Sequence, residues 1–106
     1  MKITSMLSLC IIAFAALVAC GTVLPPSELV AAREEYSRAF GGDANRLQPA
    51  KVYEAKKALD AAETKFNHEG DVQATRDLAY IAQRKAQYAE TAAALSLEEQ
   101  KFADAD

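Results

Sequence analysis

Alanine recurs every three or four residues along most of this chain, and this spacing constrains the fold more than any other feature. From residue 20 onward there are 19 alanines, against 15 leucines, isoleucines, valines and phenylalanines. Alanine is the best helix former, but its side chain buries little area. We therefore predict an all-α fold whose helices pack closely and stabilise one another weakly, so that a partner or self-association supplies further burial.

The first predicted helix covers residues 28–40 and ends at Gly41-Gly42. Ser27 is of a type favoured at the N-cap, and Glu28 suits the first helical turn. The apolar residues that share one side of this helix are Leu29, Ala32, Tyr36, Ala39 and Phe40. Residues 41–48 contain turn formers and are predicted to be a connector.

The second and third predicted helices cover residues 49–68 and 71–101. Pro49 fits a first turn, Gly70 a helix end, and Asp71 an N-cap. The second helix has a seam of Val52, Ala55, Leu59, Ala62 and Phe66. The third has two neighbouring stripes, which indicate contact with two other helices. The first stripe is Val72, Thr75, Ala79, Ala82, Ala86, Ala89 and Ala93; the second is Leu78, Ile81, Tyr88, Ala92 and Leu95.

The N-terminal segment has the pattern of a secretory signal. Lys2 precedes an uncharged, almost wholly apolar run at residues 6–18, which is shorter than the roughly 20 residues of a membrane span. Leu17-Val18-Ala19-Cys20 resembles the lipobox of bacterial lipoproteins. The resemblance implies cleavage between Ala19 and Cys20, with a diacylglycerol and an N-acyl chain, such as palmitate, on Cys20. An ordinary signal peptide followed by a free or buried cysteine is the alternative.

These features divide the chain into four parts. Residues 1–19 are the predicted signal peptide, 20–26 a lipidated tether, 27–102 a small antiparallel three-helix domain with a long C-terminal helix, and 103–106 an acidic tail that frays. Two or three acyl chains hold a protein to a membrane almost permanently. Because Gly21, and not Asp, follows Cys20, the resemblance to lipoproteins implies the outer membrane, facing the periplasm.

Charge and cysteine content exclude several classes of function. Loss of Lys2 with the signal leaves 11 basic and 15 acidic residues, a net charge of −4, so nucleic acid is not an expected partner. Cys10 leaves with the signal and Cys20 is acylated, so no disulfide forms within the mature chain. The acyl groups on Cys20 apart, no cofactor is expected.

No catalytic or metal constellation is predicted. His68 is the only histidine, whereas a metal site needs several converging ligands; a histidine at a helix C-terminus is favoured by the helix dipole alone. The carboxylate pairs Glu34-Glu35 and Glu98-Glu99 are adjacent on helices and therefore point apart. We expect neither an enzyme nor a metal protein.

One row of side chains has the character of a binding surface. Tyr80, Arg84 and Tyr88 follow one another at intervals of four residues on the third helix. Such a row binds a partner protein or stacks on sugar rings, although tyrosines in this pattern more often rim a helix interface with their hydroxyl groups in water. Tyr80, Arg84 and Tyr88 are therefore the candidate partner-binding residues.

The mature chain resembles an uncharacterised family of small α-helical bacterial lipoproteins, whose domain sometimes precedes an OmpA-like domain. The residues that carry the resemblance are Pro26-Ser27-Glu28-Leu29 with Ala32-Arg33, then Pro49-Ala50 with Ala55, Ala58 and Leu59, and finally Gly70, Ala74, Leu78-Ala79 and Ala82. The resemblance implies an envelope location and no enzymatic activity. The function we expect is an interaction or scaffold module in the cell envelope; the alternative is a small, tetratricopeptide-like module that binds peptides or cell-wall glycan.

Overall fold

Four helices and no strand make up residues 23–105, the part of the chain that this computed structural model describes. They are α1 (Ser27–Gly41), α2 (Asp43–Leu47), α3 (Pro49–Glu69) and α4 (Gln73–Ala105). The all-α prediction is confirmed, as is the long C-terminal helix. The predicted signal peptide, with Ala19 and Cys20, lies outside the described residues, so the predicted anchor stays a prediction. Within the described range, no helix combines the length and apolarity needed to cross a membrane.

Two clusters of buried side chains fix the directions of the long helices. In the first, Leu29 of α1 packs with Leu59 of α3 and Ala79 of α4. In the second, Ala39 of α1 packs with Val52 of α3 and Ala89 of α4. Residue numbers therefore rise together along α1 and α4 and fall along α3, so α1 runs parallel to α4 and α3 runs antiparallel to both.

The first predicted stripe of α4 is its buried face, as expected. Its alanine stripe, defined here as Ala79, Ala82, Ala86, Ala89 and Ala93, is at most 2% exposed, and Thr75 is fully buried. These small side chains let α1 and α3 approach α4 closely, and together with their contacts they form most of the core. Leu29 and Thr75 are the largest fully buried side chains among the described residues.

The predicted contact of α4 with two other helices is confirmed, but the second predicted stripe does not complete a wide buried face. Leu78 and Ala92 are half-buried, whereas Ile81, Tyr88 and Leu95 are largely exposed. The reason is that α1 and α3 both contact α4 through the alanine stripe. Within residues 23–105, no helix therefore lies beside the side of α4 that points away from them.

The ends of the helices differ from the predictions in four places. Residue 26, a proline, occupies the N-cap of α1, and the Ser27 side chain contacts Glu28 instead. The predicted connector contains the short helix α2. Helix α4 begins two residues after Asp71, whose carboxylate accepts a hydrogen bond from Arg76. Residues 103–105 of the predicted frayed tail continue α4.

Side chains tie the connections to the long helices. Gly70 ends α3 with a φ of 75°, and the Thr75 hydroxyl donates to its carbonyl oxygen at 2.7 Å. At the other end, the Gln48 amide donates to the Ser96 hydroxyl at 3.0 Å. Both turns around α3 are therefore fastened to α4.

Helix α4 is longer than the bundle that surrounds it. Its 33 residues span about 50 Å, whereas the 21 residues of α3 span about 32 Å. Residues 98–105 are all exposed. The C-terminal end of α4 therefore projects beyond α1 and α3.

Candidate functional site

The three predicted partner-binding residues lie together on the exposed surface of α4. Tyr80 is 55% exposed and Tyr88 62% exposed, and Arg84 between them is also exposed. The Arg84 guanidinium lies 6.0 Å from the centre of the Tyr80 ring and donates to the Gln87 amide oxygen at 3.0 Å. We call Tyr80, Arg84 and Tyr88 the aromatic row.

Helix α3 contributes a second cation to this surface. Lys51 Nζ lies 5.4 Å from the centre of the Tyr88 ring, within the range of a cation–π contact. Tyr88 is therefore held against α3 on one side and keeps its other side open. An exposed, oriented tyrosine flanked by cations is suited to contact with another protein or a sugar.

The aromatic row borders an open cleft of about 470 Å³, which we call the acid cleft. Arg84 and Tyr88 form one side of it. Glu35 of α1 and Glu90 of α4 lie on the other side, and Gln87 and Thr91 complete the lining. The cleft therefore places an aromatic ring and a cation beside two carboxyl groups from different helices.

Glu35 and Glu90 form an acid pair across the contact between α1 and α4. Glu35 is only 9% exposed, and one of its oxygens accepts a hydrogen bond from Arg38 at 2.6 Å. Oε1 of Glu90 is buried and has no hydrogen-bond partner among the described residues. A buried carboxylate oxygen without a partner is costly, and a shared proton between the two carboxyls removes that cost.

The acid pair perturbs the pKa values of both groups. Hydrogen bonding to Glu35, burial and the negative charge of Glu35 raise the pKa of Glu90 to about 7. Hydrogen bonds from Glu90 and from Arg38 lower the pKa of Glu35. Two interacting carboxyls lose their protons in two separated steps, and the raised pKa makes Glu90 the group that releases its proton at the higher pH.

Reasoning from the sequence missed the acid pair, although one signal was present. Glu35 follows Ala32 by three residues and precedes Ala39 by four, which puts it on the buried side of α1. We expected Tyr36 and Phe40 on that side; Tyr36 is half-buried and packs against both core clusters, whereas Phe40 is 56% exposed. Glu90 likewise follows the buried Ala86 by four residues. The sequence of either helix alone does not predict that these two glutamates lie close together.

His68 lies away from this surface, near the end of α3. It borders a separate shallow depression along α3, together with Asp60 and Glu69. Between residues 23 and 105, no group of three or more His, Cys, Asp or Glu side chains is arranged to hold a metal ion. The geometry therefore directs attention to α4 and the acid cleft.

Comparison with known proteins identifies the domain. A family model described as a domain of unknown function, DUF4398, matches residues 27–105, from the start of α1 to the end of α4. No curated protein matches the chain, and no solved structure does. The match spans all four helices and most of the sequence, so this chain belongs to the DUF4398 family, a domain of unknown function.

Proposed function

We propose that this protein is a lipid-anchored, non-enzymatic component of the bacterial cell envelope whose helical domain binds a protein partner through α4. Acylated Cys20 holds the chain to the outer membrane on the periplasmic side, and residues 20–26 link the lipid to α1. The aromatic row then presents the binding surface. The open outer face of α4 is the observation that carries the proposal.

The placement of large side chains supports binding at α4. The core is built mainly from alanine, whereas Tyr80, Ile81, Tyr88, Leu95 and Phe102 are each at least 46% exposed on the same helix. Burying an aromatic or large aliphatic side chain stabilises a contact by about 1.5–3 kcal/mol. This chain therefore keeps much of its large apolar surface outside its own core, where a partner protein can cover it.

The acid cleft supports a second candidate function, a small peptide- or glycan-binding module. Sugar-binding sites combine an aromatic ring with hydrogen-bonding side chains. Tyr88 supplies the ring, and Gln87, Thr91 and Glu35 supply polar groups within the same cleft. Purified wall fragments are the probe for this alternative.

Site-specific photocrosslinking in cells separates the two candidates. A photoreactive amino acid is placed at position 80, 84 or 88 of the full, acylated chain. Capture of one defined envelope protein supports partner binding. Capture of no protein, together with saturable binding to purified wall fragments that is lost in Tyr88→Ala, supports the glycan module. If neither is seen, both proposals fail.

Tyr53 provides a matched control position for the crosslinking. It is 58% exposed and has Lys57 Nζ 5.2 Å from its ring centre, so its local setting is close to that of Tyr88. It lies on α3 instead of α4. Capture of the same protein with equal yield from position 53 indicates nonspecific contact and counts against binding through α4.

The lipid anchor is tested with Cys20→Ser. A hydroxyl in place of the thiol cannot accept the diacylglycerol, so the variant is expected to leave the membrane fraction and to change its electrophoretic mobility. A Cys10→Ser variant is the control, because Cys10 is removed with the signal. Unchanged membrane partitioning and mobility of Cys20→Ser would contradict the anchor.

A further inference from the structure

Four large apolar side chains follow one another at intervals of seven residues on the open side of α4. Ile81, Tyr88, Leu95 and Phe102 are 46%, 62%, 60% and 75% exposed, respectively. We call this set the heptad row. Seven residues are close to two helical turns, so the row follows the helix axis with a drift of about 20° per step. A sustained seven-residue spacing of apolar side chains is typical of a helix that packs along another helix.

The heptad row faces away from the rest of the domain. At about 100° per residue, its members lie on average about 140° around the helix from Ala82, Ala86, Ala89 and Ala93. Those alanines contact α1 and α3. No helix within residues 23–105 therefore covers the row, and another helix has unobstructed access to it along its whole length.

Charged residues flank the row in a pattern that fits a second copy of the same chain. Arg84 and Lys85 lie beside its first half, and Glu98 and Glu99 beside its second half; all four are exposed. The midpoint of the row falls between residues 91 and 92. The basic pair and the acidic pair lie at equal distances on either side of this midpoint.

A two-fold axis at this midpoint places the basic residues of each copy beside the acidic residues of the other. Two antiparallel copies of α4 then place Tyr88 opposite Leu95 of the second copy and Ile81 opposite Phe102 of the second copy. Arg84 lies beside Glu98 of the second copy, and Lys85 lies beside Glu99 of the second copy. A parallel pair in register instead places each charge beside its own kind, which is unfavourable.

Existing contacts permit this exchange. Glu98 accepts a hydrogen bond from Lys101 at 3.1 Å, but both side chains are well exposed, at 59% and 72%. Surface pairs of this kind contribute little, so Glu98 can pair with Arg84 of the second copy at small cost. Lys51 lies against the Tyr88 ring from α3 and borders the row without crossing it.

The apolar area is sufficient for a specific dimer. With about 150–250 Å² for each large side chain, the exposed fractions of the four members amount to on the order of 500 Å² per copy. Two copies bury about 1,000 Å² through these side chains alone, which reaches the lower bound for a specific interface. An apolar area of this size matches the largest patch on a typical monomer, and such patches are often functional.

We propose that two copies of this chain pair antiparallel along the heptad row of α4, with Arg84 and Lys85 of each copy beside Glu98 and Glu99 of the other, respectively. This inference rests on the proposed function, in which α4 is the binding surface, and it identifies the partner as a second copy. The pairing covers Tyr88, whose open side is otherwise in water.

Disulfide trapping in membranes tests the direction of pairing. The mature chain has no cysteine other than the acylated Cys20. A disulfide-linked dimer therefore forms only through the introduced cysteine. Thr91→Cys lies about 1.5 Å along the axis from its copy and is expected to form disulfide-linked dimers, whereas Ile81→Cys lies about 32 Å from its own copy and is not. Co-expressed Ile81→Cys and Phe102→Cys chains are expected to link to each other. Tyr53→Cys on α3 is the background control.

Charge reversal provides a second readout on the acylated protein in detergent. Arg84→Glu with Lys85→Glu removes four favourable pairs per dimer and is expected to weaken dimerisation about tenfold. Adding Glu98→Lys and Glu99→Lys restores it. Lys56→Glu with Lys57→Glu, an adjacent basic pair on α3, is the matched control and leaves the dimer unchanged.

The outcomes separate this inference from the proposed function. Dimers from Ile81→Cys alone that equal those from Thr91→Cys overturn the antiparallel arrangement. A monomeric chain whose positions 80, 84 and 88 capture a different envelope protein overturns self-pairing and leaves the proposed function intact. If those positions capture no protein at all, the proposed function fails.

Discussion

The carboxyl group of Glu90 on α4 lies within hydrogen-bonding reach of the carboxyl group of Glu35 on α1, in the contact between the two helices. Arg38 forms an ion pair with Glu35, and the pKa of Glu90 is raised to about 7 by its hydrogen bond to Glu35, by burial and by the Glu35 charge. Further charged groups around the pair are Glu34 on α1, Arg84 in the acid cleft, and Asp43 of α2 in the small adjoining cleft beside Arg38. The contact between α1 and α4 is therefore sensitive to protonation.

Stability is expected to fall as the pH rises from 5 to 8. Burial and Glu35 raise the pKa of Glu90 from 4.5 to about 7 in the folded protein. Between these values the folded chain keeps a proton that the unfolded chain has released, so the free energy of unfolding decreases with pH. Since the cleft admits water, we expect a loss of about 1–2 kcal/mol. Urea unfolding at both pH values measures it.

The Glu90→Gln variant tests whether the acid pair causes the loss of stability between pH 5 and 8. Glutamine keeps the shape of a protonated carboxyl group and can donate to Glu35 at any pH, so the variant is expected to be more stable than the unaltered chain at pH 8 and nearly equal at pH 5. Glu34→Gln, at an exposed position beside Glu35, is the control and should keep the pH dependence. The interpretation is wrong if both variants lose stability alike between pH 5 and 8.

Gly70→Ala is expected to destabilise the domain by about 1–3 kcal/mol. Gly70 ends α3 with φ 75° and ψ −152°, a combination that is essentially restricted to glycine. Gly41→Ala is the matched control, because Gly41 is helical and a methyl group there has no atom within 4 Å. Alanine at position 41 should leave stability unchanged or raise it by up to about 1 kcal/mol. Thermal and urea unfolding of both variants distinguish the two glycines.

Ala86→Leu is expected to cost about 1–3 kcal/mol by overpacking. Ala86 is fully buried where α4 packs against α1 and α3, and a larger side chain there forces the helices apart. Ala103→Leu, on the exposed projecting end of α4, should change stability by no more than about 0.5 kcal/mol. Equal midpoints of urea denaturation for the two variants would contradict close packing along the alanine stripe.

The helices and the buried stripe of α4 could be predicted from the local sequence. The contacts between helices could not. The period of Ala79, Ala82 and Ala86 predicted the buried face, and Gly70 predicted the end of α3, because both depend on nearby residues. The acid pair depends on the register of α1 against α4. The exposure of Ile81 and Leu95 also depends on how the helices pack, because periodicity shows that a face is apolar but not whether another helix covers it.

The residues that α4 contributes to the binding surface could be predicted from the sequence, whereas the residue that α1 contributes could not. Tyr80, Arg84 and Tyr88 were grouped from their spacing alone, and the structure places them on one exposed face. That Glu35 borders the same cleft could not be predicted, because it comes from another helix 45 residues or more away in the sequence. The α2 turn was likewise missed, since its five residues are too few for periodicity to register.

The parallel course of α1 and α4 has a mechanical consequence. The chain enters the domain at Ser27, beside the first turns of α4, while residues 98–105 extend from the opposite end. The tether before Ser27 and a partner bound near Phe102 are therefore separated by most of the roughly 50 Å length of α4. The number of residues in a single helix therefore sets the distance between the two ends of the domain.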